Sequence, residues 1–115
     1  MRLILAIFSL TGLAFGYQII SPNSTSGWTT EGPNVVTWTK LATDPPNFSL
    51  LLQFPVSGGG EELALVADVN GDLGQLVVPS FEVSPGNGFR VNFVDVTDND
   101  EIFAQSAPFS IVPSN

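Results

Sequence analysis

Beyond residue 16 the apolar side chains never hold a 3.6-residue period across three turns. They fall instead in short runs of alternating polarity, broken by Pro, Gly, Asn and Asp about every ten positions. A chain patterned in this way has no helical stripe to bury, so its apolar residues must be gathered on the faces of short strands.

Residues 34–40 place Val36 and Trp38 on one face against Val35, Thr37 and Thr39 on the other, and residues 47–54 bring Phe48, Leu50, Leu52 and Phe54 together. Residues 61–69 form the next run. Asn70-Gly71, the preferred central pair of a tight hairpin, predicts a partner strand over 74–78. Further strands are expected over 17–21, 79–83, 89–93, 101–105 and 108–112, with turns at 84–88 and 97–100. Seven to nine short strands in about 100 residues predict an all-β fold, an immunoglobulin-like antiparallel β-sandwich, with a small barrel as the second choice.

Residues 1–16 read as a cleaved signal peptide. Arg2 supplies a positive start, residues 3–15 are too short an apolar run to span a bilayer, and Ala14 and Gly16 are small residues at the positions a signal peptidase reads. The expected product is one domain over residues 17–115, secreted to the extracellular space or cell wall. Neither a second membrane segment nor a lipid-anchor signal is expected after cleavage.

The chain has no cysteine and no histidine. Its stability must come from core and sheet ladders without disulfides, and it lacks both thiol ligands and the side chain most used for proton transfer near neutral pH. The net charge is −8, and removal of Arg2 leaves Lys40 and Arg90 against eleven acidic residues, a net −9. Such a field repels phosphate, so nucleic acid and anionic membrane are poor partners.

Asp68, Asn70 and Asp72 have the spacing of a calcium loop, but Leu73 stands where that loop needs Gly and Pro79 where it needs the bidentate Glu, so a turn is the simpler reading and no metal is expected. Asp95, Asp98, Asp100 and Glu101 could supply oxygen ligands or a carboxylate pair for glycoside chemistry, against the simpler reading of a solvated turn. A hydroxyl nucleophile needs a nearby base, and neither His nor Cys is present to help activate one; Lys40 has no evident catalytic role. Trp28, set in a polar loop, is the candidate platform for a neutral sugar, or else a lid on the end of the sandwich. Trp38 and the Phe stripes read as core. Arg90 is expected to pair with Asp95 or another acid across the sheet. Asn23-Ser-Thr25 and Asn47-Phe-Ser49 are acceptor sequons for N-glycosylation, with Asn23 the better placed.

The segments Ile20-Ser-Pro22, Trp28, Gly32, Val36-Thr-Trp-Thr39, Phe48-Ser-Leu50, Pro79, Gly88-Phe-Arg-Val91, Val94-Asp95, Ile102-Phe-Ala-Gln-Ser106 and Phe109-Ser-Ile111 occur in this order. Over roughly residues 18–112 the chain thereby resembles the N-terminal domain of the yeast cell-wall synthesis KRE/KNH family, also described as the Ser-Thr-rich glycosylphosphatidylinositol-anchored membrane family of fungi. The resemblance implies an immunoglobulin-like fold, a fungal extracellular or cell-wall setting and a link to β-1,6-glucan assembly; it brings no catalytic residue. The expectation is a non-catalytic module, without cofactor, that binds or organises wall β-glucan or wall protein through Trp28. The alternatives are a secreted effector-like protein with a protein partner and, third, a glycoside-active enzyme using two of Asp68, Asp95 and Glu101.

Overall fold

A computed structural model of the chain describes residues 15–56 and 60–114, so that most of the expected signal peptide, residues 1–14, lies outside the described residues. Nine strands form among them: β1 (Gln18–Ser21), β2 (Trp28–Thr29), β3 (Asn34–Thr39), β4 (Asn47–Gln53), β5 (Glu62–Asn70), β6 (Gln75–Val78), β7 (Gly86–Asp95), β8 (Asp98–Gln105) and β9 (Phe109–Val112). The larger sheet runs β2-β9-β7-β4-β5, with β8 also paired to β7, and the smaller runs β1-β3-β6. The two sheets make the expected sandwich. All pairings are antiparallel except that of β9 with β2, which is parallel and ties the end of the chain to the loop after β1.

β4 and β7, the strands richest in buried side chains, lie side by side in the larger sheet, with Leu50 opposite Phe93 and Leu52 opposite Val91. Alternation sends Phe48, Leu50, Leu52, Val91 and Phe93 inward, where all five are fully buried. The rings of Phe48 and Phe93 stack with centroids 3.8 Å apart, and Trp38 of the smaller sheet stands edge-on to both at 5.3 and 5.4 Å. Trp38 is therefore core, and its indole N–H is satisfied by Gly71 O at 2.8 Å.

Three expected elements differ. Asn70-Gly71 does not turn a hairpin: β5 pairs with β4, whereas β6 pairs with β3 in the other sheet. The Asn70 side chain accepts from Asp72 N–H to cap a 3₁₀ turn over Gly71–Leu73, Gly71 N–H donates to Pro46 O at 2.9 Å, and Gly74 leaves the turn at φ 75°, so the chain crosses between sheets. Residues 79–83 form no strand, because Pro79 and Pro85 bracket the segment and neither can donate to a ladder. The turns expected at 84–88 and 97–100 are shorter than predicted, since β7 starts at Gly86 and β8 at Asp98.

Tyr17, the sole tyrosine, is 4% exposed and donates its hydroxyl to Pro45 O at 2.7 Å. Burial, reinforced by the carboxylates of Asp44 and Asp72, pushes its pKa up to about 12. The folded-state value lies above the ordinary tyrosine value near 10, so the fold favours the neutral phenol. That contribution is complete below about pH 10 and is lost as the pH rises toward 12. An alkaline titration of phenolate absorbance is expected to show a midpoint about two units above that of the urea-unfolded chain, with stability falling over the same interval.

Candidate functional site

The sugar platform anticipated at Trp28 is not open. Trp28 is 4% exposed, its indole N–H donates to Val35 O at 3.1 Å, and its ring lies between Phe81 and Phe109, with centroids 5.9 and 5.2 Å away. Pairing of β2 with β9 pulls the loop residue into the sandwich end, so Trp28 braces other aromatic rings and presents no free face.

Beside it lies an open cleft of about 770 Å³, lined by Thr30, Glu31, Phe54, Ser80, Phe81 and Glu82 together with the two residues that follow. Phe81 and Phe54 are partly exposed. Each is steadied edge-on by a buried ring, Phe81 by Trp28 at 5.9 Å and Phe54 by Phe89 at 5.6 Å. A second concavity of about 360 Å³ shares Phe54 and Ser84 and extends the surface toward Pro85 and Asn87. The segment between Pro79 and Pro85 is paired into neither sheet; Phe81 and Val83 still pack against the core, which leaves Phe81 partly exposed and Glu82 exposed.

Glu31 is positioned by a local clasp. Asn34 is buried; its Oδ1 accepts from Thr29 N–H at 3.0 Å and its Nδ2 donates to Thr29 O at 2.9 Å. The Thr29 hydroxyl accepts from Gly32 N–H at 3.0 Å, and Gly32 takes a φ of 71° that a side chain would oppose. Ser114 closes the turn from outside, its hydroxyl accepting from Glu31 N–H at 3.0 Å.

The acidic candidates do not converge on one centre. Asp68 accepts from Asn47 Nδ2 at 2.7 Å, Asn70 caps its own turn, and Asp72 pairs with Lys40 at 3.2 Å, so the calcium-like spacing is used for local structure. Among the described residues no group of three or more acidic side chains is arranged to hold a metal ion. Asp95 Oδ1 accepts from both the backbone N–H and the hydroxyl of Thr97, at 2.8 and 2.7 Å, and these bonds lower its pKa below the usual carboxylate range. Asp98 likewise accepts from Asp100 N–H at 3.0 Å in the β7–β8 hairpin. Asp68 and Asp72 border an open cleft with Asn47, but Asp95 and Glu101 do not line it.

Arg90 does not pair with Asp95. They stand five positions apart along β7, about 17 Å, and the Arg90 guanidinium donates to Ser106 O at 3.2 Å and Gln105 Oε1 at 3.4 Å. It ends a row of amides on the outer face of the larger sheet that the sequence reading missed. Fully buried Asn92 donates to Gln53 and Glu62, both at 3.0 Å, and accepts from Gln105 at 2.9 Å. A polar residue between Val91 and Phe93 is the only sequence trace of that row.

Both sequons lie in ordered surroundings. Asn23 Oδ1 accepts from the backbone and hydroxyl of Thr25, both at 2.9 Å, in the loop after β1. Asn47 opens β4, and Ser49 of its sequon is buried, donating to Ala67 O at 2.6 Å.

A family model described as the Kre9/KNH-like N-terminal Ig-like domain matches residues 21–111. Among curated proteins, the chain is 27% identical over 110 residues to serine/threonine-rich protein adg2 of Schizosaccharomyces pombe, an alignment covering 92% of this chain and 16% of that protein. It is 28% identical over 109 residues to uncharacterized protein C553.10 of the same yeast, covering 94% of this chain and 31% of that protein. The chain thus spans less than a third of either relative. No solved structure gives a significant match.

Proposed function

The chain belongs to the Kre9/KNH-like N-terminal Ig-like domain family, and from that membership we propose that it is a non-catalytic module of the fungal cell surface that binds wall polysaccharide. The observation that carries this reading is the cleft in which Phe54 and Phe81, each braced by a buried ring, stand among hydroxyls and carboxylates. A partly exposed aromatic ring matches the C–H face of a sugar, and neighbouring hydroxyls and carboxylates match its O–H groups. The contact residues in this reading are Phe81 and Phe54 in place of Trp28, with Trp28 supporting Phe81 from behind and Phe89 supporting Phe54. A non-catalytic role fits the engagement of Asp68, Asp95 and Asp98 by nearby donors and the lack of histidine and cysteine.

Retention of the purified protein on insoluble β-glucan, chitin, deacetylated chitin and mannan tests the reading. Phe81→Ala is expected to weaken retention on the preferred polymer about tenfold, the loss of roughly one aromatic–sugar contact, while its far-ultraviolet circular dichroism stays unchanged. Binding that survives both Phe81→Ala and Phe54→Ala in folded protein, or no retention on any of the four polymers, would contradict it.

A further inference from the structure

The charge of the cleft narrows the kind of polymer, an inference that rests on the reading above. Glu31 and Glu82 both line the cleft and neither forms an ion pair, the sole ion pair among the described residues being Lys40 with Asp72. Neither lysine nor arginine lines the cleft. Arg90 is engaged by Gln105 and Ser106 on the outer face of the larger sheet. Two carboxylates thus flank partly exposed rings in a chain of net charge −8. Such a cleft repels phosphorylated or uronic polymers and has negative charge that a neutral glucan leaves uncompensated.

We propose that the cleft takes a cationic amino-sugar polymer, a chain of glucosamine units bearing free ammonium groups, in preference to a neutral glucan. The sugar ring covers Phe81 or Phe54, and the ammonium groups lie against Glu31 and Glu82. One exposed ammonium–carboxylate pair is weak in salt water. Two carboxylates facing ammonium groups repeated along one polymer give a preference, because the second pair forms at high effective concentration.

Calorimetric titration of the full chain with soluble oligomers of glucosamine, N-acetylglucosamine and glucose tests this, since acetylation removes the charge and keeps the ring. The glucosamine oligomer is expected to bind about tenfold tighter than either neutral oligomer. That preference should vanish in the Glu31→Gln/Glu82→Gln variant and at high salt. It should persist in Asp98→Asn/Asp100→Asn, which removes the same charge from the β7–β8 hairpin. An equal loss in the hairpin variant would overturn the proposal by assigning the preference to overall charge. Equal or tighter binding of either neutral oligomer, lost in Phe81→Ala, would overturn it and leave the polysaccharide-binding reading standing. No binding of any oligomer would overturn both.

Discussion

Phe93→Ala is expected to destabilise the fold by about 4 kcal/mol, the usual range for truncating a buried Phe being roughly 3–5. Phe93 is fully buried, stacks on Phe48 at 3.8 Å, and receives the edges of Trp38 and Tyr17 at 5.4 and 5.7 Å. Alanine would leave a void bordered by three rings, two of which are anchored by hydrogen bonds of their own. Trp38 is held by its bond to Gly71 O and Tyr17 by its bond to Pro45 O, so neither can readily collapse inward. A domain of this size has about 5–15 kcal/mol in total, and no disulfide limits the unfolded chain. The melting temperature should fall by about 15–30 °C. Leu73→Ala, at a residue 58% exposed, should change stability by less than about 0.5 kcal/mol. A thermal melt of the three proteins reads both outcomes, and near-equal midpoints for Phe93→Ala and the parent would contradict the packing described.

Gly27→Ala should be nearly as damaging, although Gly27 is an exposed loop residue by its surface. A Cβ built there would run into the backbone carbonyl oxygen of Ser110, and backbone cannot give way as a flexible side chain can. The chain would have to separate β2 from β9, and Trp28, whose neighbour Ile111 is its register partner, would lose its seat between Phe81 and Phe109. A loss of about 3 kcal/mol is expected, at the upper end of over-packing. It should be accompanied by a red shift in Trp fluorescence as Trp28 meets water, a change that Phe93→Ala should produce only where the whole fold is lost. An unshifted spectrum with an unchanged melting point would show that the β2–β9 seam does not hold Trp28.

What the sequence revealed followed the range of its signals. Strand alternation is a property of a few adjacent residues, so the runs ending in β3, β4, β5 and β9 were legible within a residue or two. The Asn70-Gly71 turn was legible as a turn, but a local signal cannot report whether the next strand pairs back or crosses to another sheet. Here Pro46 O and the Asn70 cap settle that from outside the turn and within it. β2 is two residues long and pairs with the far end of the chain, so no local pattern marks it. Trp28 looked like a loop aromatic because its neighbours are polar; the rings that bury it come from residues 81 and 109. The cleft is assembled from residues 30–31, 54 and 80–84, three segments that no spacing rule connects. Prolines at 79 and 85 were its nearest trace, since they forbid the strand that would have carried Phe81 into a sheet.

The central claim, that the polymer is met at this cleft, is tested most directly by following backbone amide shifts in a nuclear magnetic resonance titration with glucose and glucosamine oligomers. The account predicts shifts concentrated at residues 30–31, 54 and 80–87, with little change at the amide row of Asn92 and Gln105 or at the β7–β8 hairpin. Shifts centred on either of those surfaces, or spread evenly over the domain, would contradict it.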